Sequence, residues 1–387
     1  MKTVPYYVLA LALSLPAILV GFEIPSFLLL GTPSLAFQSD FRVLYTPAYM
    51  LRTHQSRQIY DFAAIRRNQD LKVAADNGAV PYLHPAYEAL FLIPLSFLPY
   101  RAAYLGWALI NVIILACVYS ALRPRLVHFR ALGPPWISAG LLLGFFPLAF
   151  SILAGQDSLL LLLILTWAFR CMSGSHFRAG VLLGFGMFRF QVLLPIVVLF
   201  LLWRSFKFIS GWALSSAAIA GISAGITGVE AQVQYSRLLF QMGSFSYQPL
   251  LRRMPNLRGL LAAFSFGKFS IVISSAAILL IATVMGAKRD WGQRFSIAIS
   301  VACLVTYFLF MHDLILLVLP ILLAMDAATA GGNWRGFVLV SAIPILFAMF
   351  WFATDHFYLG ALFTLLFLVT QLIELGNHKA RNCDIAG

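Results

Sequence analysis

Residues 102–121 read AAYLGWALINVIILACVYSA, a run without a single charged side chain. At about 1.5 Å per residue, such a run forms a helix long enough to cross the hydrocarbon core of a bilayer. Similar apolar runs recur along the chain, at 4–22, 136–153, 157–172, 211–228, 269–286, 296–311, 314–328, 336–352 and 358–373. The pattern predicts a polytopic membrane protein with about ten spans.

Composition supports this prediction. The chain has 387 residues, of which 61% are hydrophobic and only 11% charged, whereas soluble domains average about 25% charged residues. Because the first run follows a single Lys2 and lacks a small-x-small cleavage pattern before Glu23, we expect a retained span. The four cysteines show no CxxC spacing, so we expect neither a disulfide framework nor a metal site.

The net charge of +13 does not indicate nucleic-acid binding, because the cations form short clusters between apolar runs, as in positive-inside topology. All clusters face the cytoplasm if two segments fail to cross fully: 86–98, which is short, and 179–203, which is broken at Arg189. Ten of the fourteen acidic residues then lie on the opposite face. We therefore expect polar chemistry outside, in a single domain 1–387 with outer loops at about 23–85 and 229–257.

Within the first outer loop, DFRVLYTPAYML and QIYDFAAIRRNQDLKVAA have mixed apolar and basic faces, which predicts short interfacial helices. Asp40 begins the first of these stretches. It is either a helix N-cap or a general base that removes a proton from an attacking hydroxyl. Tyr45 and Tyr60 are candidates for substrate contact or for an interfacial aromatic belt, and Asp61 follows them.

Further polar candidates interrupt apolar sequence. His84 precedes the short segment 86–98, and Glu88 within that segment is an expensive charge unless it is paired. Gln156 and Asp157 lie between two apolar runs, where they form either a tight turn with a helix cap or a substrate contact.

The basic candidates lie deeper in the chain. An arginine inside an apolar run, such as Arg189, marks a function or a buried partner, and its planar fork suits a phosphate. Asn256 and Arg258 precede another apolar run, where Arg258 could meet an anion or a lipid head group. His312 and Asp313 interrupt a long apolar stretch, and they form either an outer turn or a buried pair.

These segments, taken in order, resemble glycosyltransferase family 87 of the GT-C class, which includes polyprenol-phosphate-mannose-dependent α-mannosyltransferases. The resemblance rests on SDFRVLYTPAYML with QIYD (39–61), HPAYEALFLIPLSFLPYRAAYLGWALIN (84–111), GQDSLLLLLILTWAFR (155–170), AGVLLGFGMFRFQVLLPIVVLFLLWR (179–204), PNLRGLL (255–261) and HDLILLVLP (312–320). It implies an all-α GT-C bundle in the cell (inner) membrane that moves a sugar, expected to be mannose, from a polyprenyl-phosphate donor to a glycolipid or glycan.

The resemblance implies that Asp40 is the catalytic base, and His312 is expected to assist it. Arg189 stands where the family commonly has a lysine. With Arg258 it is expected to bind the donor phosphate, and no cofactor is expected. The other candidates are expected to contact substrate: Tyr45, Tyr60, Asp61, His84, Gln156, Asn256 and Asp313. The chain departs from the family pattern at His84-Pro85-Ala86, where two prolines are frequent, and at Asp157, which replaces a frequent asparagine.

Two other functions compete with a transferase. A transporter or lipid flippase would use polar residues in paired broken helices, which suits Arg189, although no internal repeat is visible. A non-catalytic membrane scaffold would use the outer loop only to bind a partner.

Overall fold

The computed structural model describes residues 4–75, 78–243 and 248–374. Within these ranges every regular element is helical and no β-strand forms. This confirms the prediction of an all-α, polytopic membrane protein. Asp76, residues 244–247 of the second predicted outer loop, and the basic pair Lys379 and Arg381 lie outside the described residues.

The first ten α-helices are α1 (Tyr6–Leu28), α2 (Pro33–Gln38), α3 (Phe41–Arg52), α4 (Phe62–Lys72), α5 (Ala86–Leu92), α6 (Tyr100–Leu122), α7 (Val127–Arg130), α8 (Trp136–Leu143), α9 (Phe146–Ala154) and α10 (Ser158–Met172). The others are α11 (His176–Gly184), α12 (Phe190–Leu202), α13 (Phe206–Thr227), α14 (Val229–Gly243), α15 (Gln248–Leu251), α16 (Leu257–Ala263), α17 (Lys268–Gly286), α18 (Trp291–Val305), α19 (Val318–Ala330), α20 (Trp334–Ala348) and α21 (Gly360–Ile373). Short 3₁₀ turns join several of them, including Ile93–Phe97, Met187–Arg189 and Met311–Leu317.

In the described part of the chain, seven helical segments are long and apolar enough to cross a membrane, or up to nine if each of two bent pairs counts as one span. The prediction of about ten full spans is therefore too high. Runs 157–172 and 296–311 correspond to α10 and α18, which have only 15 residues each. Run 136–153 is not one straight helix, because α8 and α9 meet at 56°.

The break within 179–203 is confirmed, since α11 and the segment Met187–Leu202 meet at 67°. The segment Met311–Ala330 runs through the centre of the bundle, where most of its side chains are buried. In contrast, α17 exposes most of its surface. The bent segment and the central segment bring polar residues into the middle of an apolar bundle.

The first predicted outer loop contains the two expected short helices, α3 and α4. Helix α3 lies against α5, and a small apolar cluster that includes Phe41, Tyr100 and Trp107 joins it to α6. The loop begins later than expected, because α1 continues to Leu28. Glu23, the predicted start of this loop, is instead buried within α1, where it accepts a hydrogen bond of 3.3 Å from Trp351 Nε1.

Glycines at the interface let the backbones of α11 and α13 come into direct contact. A Cβ atom added to Gly180 would overlap the carbonyl oxygen of Phe208, and one added to Gly211 would overlap that of Phe177. Small residues at such positions are a common means of close helix packing in membranes. The contact fixes α11, and with it the turn that presents Arg189.

We expect Gly180→Ala to destabilise the protein by about 1–3 kcal/mol, because the added methyl group forces the two backbones apart. Gly221→Ala is the matched control, since a Cβ atom at this α13 position meets nothing within 4 Å. Thermal unfolding in detergent measures both variants. Equal stability of Gly180→Ala and wild type would show that the helices do not approach this closely.

Candidate active site

Asp40 does not use its carboxylate as a helix cap. It occupies the N-cap position of α3, but its side chain accepts no capping hydrogen bond there. Instead, Asp40 Oδ2 accepts a 2.8 Å hydrogen bond from Gln156 Nε2. Asp61, by comparison, is an exposed cap that accepts from the backbone N–H groups of Ala63 and Ala64 at the start of α4. The capping interpretation therefore fails for Asp40, whereas Asp61, which was expected to contact substrate, caps a helix.

A glycine turn brings Gln156 to Asp40. Gly155 has a φ of +68° at the end of α9, a left-handed conformation that favours glycine. A Cβ atom on Gly155 would lie 2.6 Å from Phe41 Cβ, so a larger residue would push α3 and Asp40 away. The side chain of Gln156 then joins two charged groups, because its Oε1 accepts a 2.5 Å hydrogen bond from Arg189.

Arg189 is buried and pairs with two carboxylates. Its Nε donates to Asp157 Oδ1 at 2.8 Å, a second nitrogen contacts the same oxygen, and its third nitrogen lies 3.5 Å from Asp313 Oδ1. Arg189 therefore has the buried partners that an arginine inside an apolar run requires. A guanidinium held in this way is a fixed part of the site and stabilises two carboxylates that burial would otherwise penalise.

Asp313 and His312 form a buried pair, one of the two alternatives that the sequence left open. The chain leaves the helical conformation after α18 and resumes it at Met311–Leu317, with both side chains inside the bundle. Asp313 accepts hydrogen bonds from Ser158 Oγ at 2.8 Å and from the Phe310 N–H at 3.1 Å. His312 Nε2 lies 3.5 Å from Asp313 Oδ2 and has no hydrogen-bond partner among the described residues.

His84, Glu88 and Asp157 meet at a third corner of the site. His84 Nδ1 lies 2.6 Å from Glu88 Oε2 and 3.3 Å from Asp157 Oδ2. Burial alone would lower the pKa of His84, but the two carboxylates outweigh burial and raise that pKa to about 9. This corner therefore attracts positive charge. His84 and Asp157 are in contact here, and both lie where the chain departs from the sequence pattern of the family that it resembles.

Three other residues that were predicted to contact substrate make hydrogen bonds within the protein instead. Tyr45 donates its hydroxyl to the carbonyl of Leu98, and Tyr60 donates to the carbonyl of His84. Asn256 caps α16 and donates to the carbonyl of Thr306 at 2.7 Å. These contacts use the polar atoms predicted to bind substrate, so the geometry gives Tyr45, Tyr60 and Asn256 structural roles.

Arg258 is buried beside the segment that leads to His312. Its guanidinium carbon lies 3.7 Å from the centroid of the Tyr307 ring, and its NH1 donates to the Tyr307 carbonyl at 3.3 Å. Stacking of this kind holds a guanidinium plane in a fixed orientation.

Glu88 and Asp157 are central residues of the site whose roles the sequence left open. Both are carboxylates in or beside apolar sequence, a signal that a partner is needed, since such groups are expensive without one. Their mutual contact carries no sequence signal, because Glu88 and Asp157 lie far apart along the chain.

The family model for glycosyltransferase family 87 matches residues 82–312, more than half of the chain. The chain belongs to glycosyltransferase family 87. The match contains His84, Gln156, Arg189 and Arg258 and ends at His312, whereas Asp40 lies before it. Searches of curated proteins and of solved structures give no match. The family 87 protein is therefore a glycosyltransferase with several helices long and apolar enough to span a membrane.

Proposed function

We propose that this family 87 protein is an inverting glycosyltransferase that takes a sugar, mannose in our proposal, from a polyprenyl-phosphate donor. The acceptor is a hydroxyl group of a glycolipid or glycan at the extracytoplasmic face of the cell membrane. The observation that carries the proposal is the state of Asp40: its carboxylate lies at the start of α3, makes no capping bond and is held by Gln156. A carboxylate positioned in this way suits proton removal.

In the proposed step, the acceptor oxygen attacks the anomeric carbon of the sugar while Asp40 takes the hydroxyl proton. The bond between the anomeric carbon and the phosphate oxygen breaks, and polyprenyl phosphate leaves with the electron pair. Because attack and departure occur on opposite faces, a β-linked donor gives an α-linked product. His312 is proposed to act through the buried polar network, since its contact on the described chain is with Asp313.

Arg258 is the residue that we propose for the donor phosphate. Its guanidinium is fixed by Tyr307 next to the segment that enters the site, and a phosphate oxygen is a good partner for that group. Arg189 is a poorer candidate than the sequence indicated, because phosphate binding would require it to release Asp157 or Asp313. We assign Arg189 to holding the site together.

A proteoliposome experiment separates the three possible functions. The transferase predicts that purified protein moves radiolabelled sugar from polyprenyl-phosphate sugar to a glycolipid extract. A transporter or flippase, which the two bent helix pairs would also suit, predicts movement of the intact donor across the bilayer without transfer. A scaffold predicts neither result. Donor movement without transfer would overturn the proposal.

We expect Gln156→Leu to lower kcat for sugar transfer by about a hundredfold with little change in KM, because Asp40 loses the group that positions it. Gln371→Leu is the matched control, since Gln371 is a buried amide that contacts Ser296 at another place in the bundle. If Gln156 instead contacts the sugar, as the sequence suggested, KM rises. A rise in KM at unchanged kcat would contradict the positioning role.

The proposed orientation predicts the results of reporter fusions. Fusions at Ile65 and Asp355 should report the extracytoplasmic side, and fusions at Leu126 and Asp290 the cytoplasm, because the basic clusters flank the latter pair. Paired phosphatase and fluorescent-protein reporters measure both sides. A cytoplasmic signal at Ile65 would place Asp40 on the wrong side of the membrane for the proposed reaction.

A further inference from the structure

The cluster formed by His84, Glu88 and Asp157 offers three ligand atoms to one point. One nitrogen of His84 and one oxygen from each carboxylate lie within 4.8 Å of one another. The exposed fraction is 2% for Glu88 and 1% for Asp157. His84 and Glu88 are one helical turn apart at the start of α5, so both reach the same side.

The atoms that face this point have few partners outside the cluster. Apart from the close contacts of His84 Nδ1 with Glu88 Oε2 and Asp157 Oδ2, no donor among the described residues bonds either oxygen of Glu88 or Asp157 Oδ2. The other oxygen of Asp157 is occupied, because it accepts from Arg189. A buried carboxylate without hydrogen bonds is costly, since it loses its water and gains nothing in exchange. The close approach of His84 to Glu88 offsets only part of this cost, because one N–H cannot fully satisfy the three remaining carboxylate oxygens.

The charges around the cluster indicate that a further cation would stabilise it. Asp157 and Asp313 already share the guanidinium of Arg189, and Glu88, which is 2% exposed, adds a third carboxylate against the single imidazole of His84. A donor phosphate brought to this site would meet more carboxylates than cations. A divalent cation removes both difficulties, because it coordinates the unbonded oxygens and neutralises charge that repels a phosphate.

The supporting contacts fix the ligands from behind. The carbonyl of His84 accepts a 3.0 Å hydrogen bond from Tyr60, and its ring stacks on Tyr82 at 5.6 Å between centroids. Tyr235 of α14 stacks in turn on Tyr60 at 4.7 Å. Such a shell behind a ligand reduces its freedom before the ion arrives, which favours binding.

We propose that His84, Glu88 and Asp157 bind one divalent transition-metal ion, Mn²⁺ or Zn²⁺. The imidazole favours a transition metal such as Zn²⁺ over Mg²⁺ and Ca²⁺, and the two carboxylates suit Mn²⁺. Three protein ligands leave a coordination position open for an oxygen of the donor phosphate, a role that rests on the proposed function. The proposal differs from the expectation, drawn from the sequence, that the protein holds no metal.

Metal binding is tested without donor or acceptor. Full-length protein is purified in detergent, its metal content is measured by mass spectrometry, and Mn²⁺ binding after chelation is followed by electron paramagnetic resonance. We expect about one metal ion per chain in the untreated protein, and displacement of bound Mn²⁺ by Zn²⁺. Glu88→Gln should weaken Mn²⁺ binding at least about tenfold, because it removes an anionic ligand.

Glu23→Gln is the matched control, since Glu23 is another buried carboxyl in a helix and contacts Trp351 instead. It should bind Mn²⁺ as the wild type does. If wild-type protein binds neither ion at millimolar concentration, the proposal is wrong and His84 forms a plain ion pair with its carboxylates; this result does not require the variants to fold. Equal binding by wild type and Glu88→Gln would also overturn it. Neither outcome depends on sugar transfer. The metal site can therefore be rejected without rejecting the transferase, and the transferase can be rejected without rejecting the metal site.

Discussion

Replacing Asp40 by asparagine is expected to reduce sugar transfer by about two to four orders of magnitude, the usual contribution of a general base. Asparagine has nearly the same shape and its side-chain oxygen still accepts the hydrogen bond from Gln156. It cannot take a proton from the acceptor hydroxyl at neutral pH. Membrane insertion and thermal stability should therefore remain close to those of the wild type, and initial rates with a labelled donor measure the loss.

Asp61→Asn is the control for this prediction. It changes an aspartate of the same loop that is exposed and caps a helix, so it should alter stability by about 1 kcal/mol or less and leave transfer nearly intact. Turnover by Asp40→Asn comparable to that of Asp61→Asn would remove Asp40 from the chemistry.

Arg189→Met is expected to destabilise the protein by about 3–5 kcal/mol, the cost of removing one partner from a buried ion pair. The change leaves Asp157 and Asp313 in an apolar bundle without their shared cation. Yield after detergent extraction and thermal unfolding measure the effect. Arg335→Met is the matched control, because Arg335 pairs with Glu374 while its side chain is 80% exposed. An exposed pair contributes about 1 kcal/mol at most.

A double variant separates lost charge pairing from lost packing. Adding Asp157→Asn to Arg189→Met removes one of the stranded carboxylates and should restore part of the stability, whereas a packing defect would stay or worsen. If Arg189→Met alone is as stable as the wild type but no longer binds the donor, Arg189 contacts the phosphate and the internal pairing described above is incorrect.

The sequence predicted most of the spans because long apolar runs in a bilayer have few alternatives to a helix. It failed where contacts between helices decide the outcome. The run 136–153 bends at Gly144, where a Cβ atom would lie 2.8 Å from the backbone nitrogen of Val20 in α1. Pro147 in the first turn of α9 was an available signal for this break. Glu23 lies inside α1 because Trp351, far away in sequence, provides a partner.

In the site, too, single residues could be identified from the sequence, but contacts between helices could not. Arg189 could be identified from sequence, because a charge within an apolar run is costly and requires a partner or a function. Its partners Asp157 and Gln156 could not be assigned, since only the folded bundle brings the turn after Gly155 against the turn at Arg189. Only the structure could decide between the two possible roles of Asp40. A helix cap and a general base can both be an aspartate at the start of a helix, so the sequence looks the same in either case.

The measurement that tests the central claim most directly is the linkage of the product. Purified protein in liposomes is given a β-linked polyprenyl-phosphate sugar labelled with ¹³C at the anomeric carbon and a glycolipid acceptor, and the product is examined by NMR. A single displacement assisted by Asp40 predicts an α-linked product and one free polyprenyl phosphate for each sugar transferred. A β-linked product, or donor consumed without transfer to the acceptor, would contradict the account.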